Sequence, residues 1–339
     1  MLETLKNAWK IPELRKKIIF TLFILLIYRA GNVIPVPYID TATLTNYFDS
    51  VLSSTILGLY NAMSGSAFSR ATVFALSIQP YINASIIIQL LTIAIPALER
   101  MAKEEGEEGQ KKIARITRYT TVGLGLLMGW AYYQMLVNYS NQGFSIVTQQ
   151  GFAPAMVIIL TFTAGSAFVM WLGEQITEFG IGNGISMILF ANIISGIPGM
   201  IGTLFSMVWW QILIVLVGMA ALVLFIIFIN DAERRIPIQY DPVEISNNLK
   251  KNGGFIPGFR PGRPTADFIQ KVINKIVVFG AVYLGIVALL PIVAGNLMNG
   301  VRNLAIGGTS VIIVVGVALE TVKALEAQLL MRHYKGFLD

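Results

Sequence analysis

Long apolar stretches follow one another along the whole chain, and short polar segments separate each from the next. Eight of them approach the length of about 20 residues that a helix needs to cross a membrane. They cover residues 18–36, 73–96, 119–138, 152–172, 184–204, 208–230, 268–292 and 305–326. This pattern predicts an all-α polytopic membrane protein, and an even number of spans places both ends of the chain on one side of the membrane.

The second apolar stretch carries more polar groups than a lipid-facing helix favours. Within residues 75–95 it holds Gln79, Pro80, Asn83, Ser85 and Gln89. Proline leaves a backbone carbonyl without its usual donor, which favours a bent or broken helix beside water or another helix. Amide side chains also bond to neighbouring helices in ordinary membrane bundles. The composition therefore leaves open both a water-filled conduit and a kinked helix packed inside protein.

Residues 37–72 form a segment that is too long for a simple turn and contains no apolar run long enough for a span. A segment of this kind is tolerated at membrane depth only inside protein or along an aqueous cavity. The segment therefore indicates a pore.

Composition supports the membrane setting. Hydrophobic residues make up 55% of the chain, charged residues only 13%, and the mean hydropathy is +0.67. Such a chain lacks the polar residues that a water-soluble surface requires. No cysteine is present, which excludes disulfides, thiolate metal sites and a cysteine nucleophile.

The net charge of +6 is distributed unevenly between the loops. Residues 99–119 and 231–265 each carry six basic residues, whereas residues 140–151 and 197–207 carry none. Because loops rich in Lys and Arg stay in the cytosol, the basic loops and the basic N-terminal segment are predicted to be cytosolic. Basic loops of this kind can also dock on anionic lipid or ribosomal RNA.

The sequence contains no group of residues whose types and spacing indicate a catalytic site. His333 is the only histidine and cannot form a metal site or a triad alone. The glycines at 180, 182 and 184 do not give a nucleotide-binding fingerprint, and no Walker A sequence is present. Glu174 and Glu178 are spaced as a carboxylate pair, but structural hydrogen bonding is the favoured interpretation. The sequence thus predicts neither an enzyme nor a cofactor.

Five segments of the sequence occur in the same order as the matching segments of one protein family. They read SGSAFSRATVFALSIQPYINASIIIQLL, GEQITEFGIGNGIS, ERRIPIQY, NNLKKNGGFIPGFRPGRPT and GGTSVIIVVGVALET. Together they resemble the SecY family, the pore subunits of the bacterial Sec protein-conducting channel, over nearly the whole chain. The resemblance implies a helical bundle of two inverted halves, here residues 1–205 and 206–339, around an hourglass pore that a plug segment closes.

The resemblance also implies roles for particular residues. The plug region covers residues 59–71, and its matching positions are Leu59, Ser64, Gly65, Ser69 and Arg70. The aliphatic pore ring carries over to Ile78, Ile82, Ile185, Leu189 and Ile313. The polar edge of the lateral gate carries over to Gln79, Asn83 and Gln89, and the loop arginines that dock partners to Arg234, Arg235 and Arg260. A ring of branched alkyl groups can exclude hydrated ions and still yield to an extended peptide.

One junction departs from the family. Family members have ten spans, whereas Tyr240 here runs directly into Asp241, where spans seven and eight would stand. Three explanations remain open: a natural minimal variant, an engineered deletion, or a sequence that omits part of the chain. If the two residues are not bonded, their Cα atoms are expected to lie farther apart than the usual distance of about 3.8 Å. If they are bonded, partner helices are expected to cover the polar edge of residues 75–95.

The resemblance thus implies a passive channel subunit in the bacterial inner membrane, and the charge pattern of the loops places both termini in the cytosol. It is expected to pass unfolded secretory polypeptides across the membrane and to release hydrophobic segments sideways into lipid. The partners implied by the resemblance are the small subunits SecE and SecG, the ATPase SecA and the ribosome. A secondary transporter for a small solute is the alternative, because broken helices with polar groups at mid-membrane also mark transporters. A non-conducting membrane scaffold is a third interpretation.

Overall fold

The described residues of the computed structural model form helices joined by turns and loops. The described residues are 8–52, 55–103, 105–205, 208–231, 242–251, 262–297 and 308–335, together with Lys6 and a few single positions between 251 and 262. Within these ranges the only extended pairings are two isolated bridges, Pro35 with Thr72 and Ile39 with Val147. The prediction of an all-α protein is confirmed.

The helices of the first part of the chain are α1 (Pro12–Gly31), α2 (Thr41–Tyr47), α3 (Ile56–Met63), α4 (Gln79–Ala94), α5 (Pro96–Lys103), α6 (Gly106–Tyr139), α7 (Phe152–Phe179), α8 (Gly184–Ser195) and α9 (Ile197–Phe205). Those of the second part are α10 (Trp209–Asp231), α11 (Pro242–Lys251), α12 (Arg263–Leu297) and α13 (Gly308–Lys335). Short π-helical segments, Phe48–Leu52 and Ser140–Phe144, follow α2 and α6.

The polar second stretch breaks at a different proline from the one expected. Pro80 lies in the first turn of α4, where its missing N–H has no intrahelical acceptor anyway, so it begins the helix instead of bending it. The sharp bend comes at the other end, where α4 and residues Pro96–Ala102 meet at 106°. Pro96 cannot continue the preceding helix and restarts it in a new direction.

Three described helices are long and apolar enough to cross a membrane: Phe152–Phe179, Trp209–Ile229 and Arg263–Val287. The bent pair that begins at Gln79 adds a fourth if it counts as one span. Residues 184–204, predicted as a single span, are divided into α8 and α9, and Pro198 lies in the first turn of the second piece. The other candidate spans stay predictions.

The chain divides into two compact units, one of residues 1–207, 303–306 and 313–339, the other of residues 208–302 and 307–312. In the first unit, α7 packs against α6, α8 and α1. Two buried clusters lie in this unit: one surrounds Phe68, Tyr132 and Phe162, and the other surrounds Tyr28, Ile78 and Ile188. In the second unit, α11 packs on α12, and the rings of Phe225 and Tyr283 meet at 5.4 Å. The predicted division into inverted halves stays a prediction.

Candidate pore and plug site

Four of the five predicted ring residues lie at one apolar cluster in the first unit. Ile78 is fully buried there, among side chains from α1, α4, α7 and α8. Ile82, Ile185 and Leu189 are half-buried and pack against the same cluster. The fifth residue, Ile313 on α13, is half-buried and is not among the cluster's described members.

Each ring pair begins its helix. The carbonyl of Ile78 accepts a hydrogen bond from the backbone N–H of Ile82 at 3.1 Å, so the two residues are one turn apart. Asn183 caps α8, because its Oδ1 accepts from the N–H of Ile185 at 3.0 Å, and Leu189 follows one turn later. Two helix starts therefore bring branched side chains to one apolar cluster, and their role as a pore ring stays a prediction.

The predicted plug region consists of a helix end and a pinned turn. The Oγ of Ser64 donates to the carbonyl of Asn61 at 2.9 Å and accepts from the N–H of Phe68 at 3.1 Å. The Oδ1 of Asn61 in turn accepts from the N–H of Ser69 at 2.8 Å. Leu59 and Arg70 are exposed, whereas Ser64 and Ser69 are buried. Side-chain hydrogen bonds thus fold the turn back onto α3.

Sequence reasoning missed the residue that joins this region to α8. Asn192 is 1% exposed, and its Nδ2 donates to the carbonyl of Met63 at 2.8 Å and to the Oγ of Ser77 at 3.3 Å. The same Ser77 Oγ is 3.1 Å from the hydroxyl of Tyr28. A lone amide within the apolar run GISMILFANIIS was the available signal, because polar groups inside a span mark function or close contact.

The predicted polar edge of α4 faces three different environments. Gln79 reaches the sulfur of Met63 at 3.5 Å, and Asn83 reaches the sulfur of Met128 on α6 at 3.9 Å. Gln89 is exposed. Gln79 therefore touches the plug region, Asn83 touches a neighbouring helix, and Gln89 faces outward.

An ion pair joins α6 to α7. The Nε of Arg118 is 2.8 Å from the Oε1 of Glu174, with the two side chains 53% and 25% exposed. This contact supports the structural interpretation of Glu174. Among the described residues, no group of His, Cys, Asp and Glu side chains has the arrangement of a metal site.

Arg260 lies in the loop that precedes α12, and the first turn of α12 holds its backbone. The hydroxyl of Thr265 donates to the carbonyl of Arg260 at 2.8 Å, and the rings of Phe259 and Phe268 stack at 4.2 Å. The Arg260 side chain is exposed. Arg234, Arg235, Tyr240 and Asp241 lie outside the described residues, so the predicted gap at the junction stays a prediction.

Comparison with known sequences gives consistent matches. The SecY family model matches residues 72–243 and 238–322 of this chain. The protein translocase subunit SecY of Streptomyces scabiei is 35% identical over 437 residues, with 100% of both chains covered. The subunit of the same name from Aquifex aeolicus is 32% identical over 431 residues, again with 100% of both covered.

Solved structures match in fold. A protein-conducting channel superposes with a TM-score of 0.56 at 14% identity, covering 95% of this chain and 96% of the other. Sec61 of the canine ribosome-channel complex gives a TM-score of 0.54 at 15% identity, with the same coverage.

The two family-model matches meet at residues 238–243, where the junction was predicted. The alignments are also longer than this chain, at 437 residues against 339. The relatives therefore carry residues that have no counterpart here.

Proposed function

Because this chain belongs to the SecY family, we propose that it is the central subunit of a protein translocation channel. It passes unfolded secretory polypeptides across the bacterial inner membrane and releases hydrophobic segments sideways into lipid. Its basic loops and both termini face the cytosol. The observation that carries this proposal is the apolar cluster at Ile78, Ile82, Ile185 and Leu189, with the plug region in contact through Asn192.

The ring works by excluding water. Branched alkyl side chains offer no ligands to a hydrated ion, so a narrow ring of them stays dry and closed to ions. An extended polypeptide displaces the same side chains, because they make only non-directional contacts with one another. The channel is therefore passive, and the driving force comes from a partner.

Partners follow from the same family membership. SecE and SecG are proposed as the small membrane subunits, and SecA and the ribosome as the cytosolic partners that dock at Arg234, Arg235 and Arg260. Support comes from the exposed, backbone-anchored Arg260, whose planar guanidinium suits contacts with carboxylate or phosphate. Spans seven and eight of the family pattern are proposed to be absent from this chain, which leaves one side of the lateral gate to a partner helix or to lipid.

A solute transporter is the less supported alternative. A transporter places an intramembrane charge or ion-binding cluster at its broken helix. Here the start of α4 holds Ile78, Gln79 and Pro80, and its described contacts are with Met63 and other apolar groups. The site thus favours a conduit for a polypeptide.

The proposal is tested by measuring whether the ring residues block the passage of ions. Replacing Ile82 and Ile185 by Ser should keep the constriction wet and raise the resting conductance severalfold in planar bilayers. Ile93→Ser is the matched control, since Ile93 lies on the same helix as Ile82 and is 61% exposed. Unchanged conductance in the double variant of a chain that seals and transports a preprotein would remove these residues from the constriction.

A further inference from the structure

The contact between α8 and the end of α3 is built from buried polar groups in an otherwise apolar setting. Asn192 is the single amide side chain within α8, and it is turned inward toward the carbonyl of Met63. Met63 is the last residue of α3. A buried amide is costly unless it is bonded, so this hydrogen bond favours one placement of α3 against α8.

Gly65 lies tightly against the same groups. A Cβ atom at Gly65 would be 2.7 Å from the Oδ1 of Asn192 and 2.8 Å from the Nη1 of Arg29, which leaves no room for a side chain. Neither the Oδ1 nor the Nη1 finds a hydrogen-bond partner among the described residues, although both are buried. The contact of Gly65 with Asn192 and Arg29 is therefore tightly packed, but its hydrogen bonds are incomplete. Such a contact can open.

The chain turns sharply at the next residue. Gly65 and Ser66 both have φ of +65°, a conformation that costs a non-glycine residue free energy. Beyond this turn the chain is firmly held, since Ala67 and Ala71 are 0% exposed and the Tyr132 hydroxyl donates to the carbonyl of Phe68. The ring of Phe68 also stacks on that of Tyr132 at 4.4 Å.

We propose that Asn192 is the positioning residue that holds the plug closed, and that the plug moves as α3 about a joint at Gly65–Ser66. Residues 67–71 stay fixed in the Phe68–Tyr132 cluster. When a polypeptide enters, α3 swings away and the Asn192 amide exchanges the Met63 carbonyl for water. The same movement also breaks the hydrogen bonds that Asn61 and Ser64 accept from the N–H groups of Ser69 and Phe68, so these bonds act with Asn192 in holding α3 in the closed position. This inference rests on the proposed channel function and narrows the predicted plug of residues 59–71 to the part before Ser66.

The cysteine-free sequence allows a direct test with single reporters. A cysteine at Met63 reports on the end of α3, and one at the exposed Arg70 reports on the fixed segment. Both are placed in the chain assembled with its partner subunits in proteoliposomes. A membrane-impermeant methanethiosulfonate reagent is added from the outer side, and labelling rates are compared between variants.

Asn192→Leu should speed labelling at Met63→Cys by about fivefold, the shift expected for one lost hydrogen bond. The rate at Arg70→Cys should not change. Asn192→Gln, which keeps an amide donor, should restore part of the slow rate. Ser195→Ala is the matched control, because the Ser195 hydroxyl lies on the same helix but donates only to the Asn192 carbonyl at 2.6 Å.

Gly65→Ala provides a second, independent arm. It should also speed labelling at Met63→Cys, and its effect should be smaller in an Asn192→Ala chain, since one of the two close contacts is then gone. Strictly additive effects would show that Gly65 and Asn192 do not share a contact.

Two results would overturn the proposal. One is an unchanged rate at Met63→Cys in the Asn192→Leu chain, and the other is an equal rise at both reporters, which signals local unfolding instead of release at a joint. In either case the ring variants Ile82→Ser and Ile185→Ser still report separately on the channel. If the labelling rates do not change but the ring variants leak, only this inference is rejected. If the ring variants do not leak and the chain transports no preprotein, the proposed function is rejected.

Discussion

The two compact units differ in how much of their apolar surface is covered by their own chain. In the first unit, 44% of the apolar window of α7 is buried, and the helix touches both hydrophobic clusters. In the second unit, the corresponding value is 11% for α10 and 0% for α12. All three helices are apolar enough to cross a membrane, so hydropathy alone does not distinguish them.

This difference in burial shows which apolar surfaces the chain covers with its own residues. The first unit holds two buried apolar clusters and a set of buried polar bonds, among them the bond between Asn192 and the Met63 carbonyl. The second unit leaves residues such as Phe228, Phe279 and Leu289 more than half exposed. In a bilayer such side chains are satisfied by lipid or by other helices, because lipid tails are as apolar as the side chains themselves. This exposed apolar surface occurs in the part of the chain that follows the junction of the two family-model matches at residues 238–243 and in the helix before it.

The largest predicted effect tests this contrast with one substitution in each unit. Phe162 is 0% exposed and packs against Tyr132 at 5.0 Å, so Phe162→Ala should lower the free energy of unfolding by about 3–5 kcal/mol. Phe279 on α12 is 61% exposed, and Phe279→Ala should change it by less than about 0.5 kcal/mol. Denaturant unfolding of the purified chain in mild detergent measures both.

A partner changes the expected result for the second unit only. If a small membrane subunit covers α12, Phe279→Ala should become destabilising in the assembled complex, while the cost of Phe162→Ala stays the same. Equal costs for the two substitutions in the isolated chain would contradict the contrast between the units.

The helical placement of the candidate ring residues could be predicted because its signals are local. The i, i+4 spacing of Ile78 with Ile82 and of Ile185 with Leu189 follows from helical periodicity, and the resemblance supplied their role. The structure then brought both pairs to one cluster.

Other features depend on contacts between residues distant in sequence. Asn192 bonds to Met63, 129 positions away, and no periodic pattern announces such a pair. Pro80 was expected to bend a helix, and the structure shows that it begins one, because whether a proline kinks or starts a helix depends on where the preceding turns end. Local propensity does not determine that position.

A middle-sized effect is expected at the loop of the second unit. Arg260→Glu should reduce SecA-driven transport by about tenfold, in the range for losing one charge-assisted contact and adding a repulsive one. It should leave the unfolding free energy nearly unchanged, since the side chain is exposed and the loop is held by Thr265 through the backbone. Transport into vesicles and protease resistance of the same preparation are measured together. Lys251→Glu, in the same unit and also exposed, is the control for a general effect of charge reversal.

The smallest effect concerns a cap at the edge of the first unit. The hydroxyl of Thr43 at 2.6 Å, together with the N–H groups of Thr43 and Ala42, holds the pKa of the Asp40 carboxyl below its ordinary value of 3.8. Because the folded pKa is the lower one, the carboxylate stabilises α2 above the ordinary pKa, and this contribution is lost as the pH falls through the folded value. Hydrogen exchange in residues 41–47, measured relative to the intrinsic rate at each pH, should therefore speed up at acidic pH. Asp40→Asn keeps a capping oxygen without a titrating group, so exchange in that variant, corrected for its intrinsic pH dependence, should stay level over the same range. A parallel rise in both proteins would mean that some other group governs the acid sensitivity of α2.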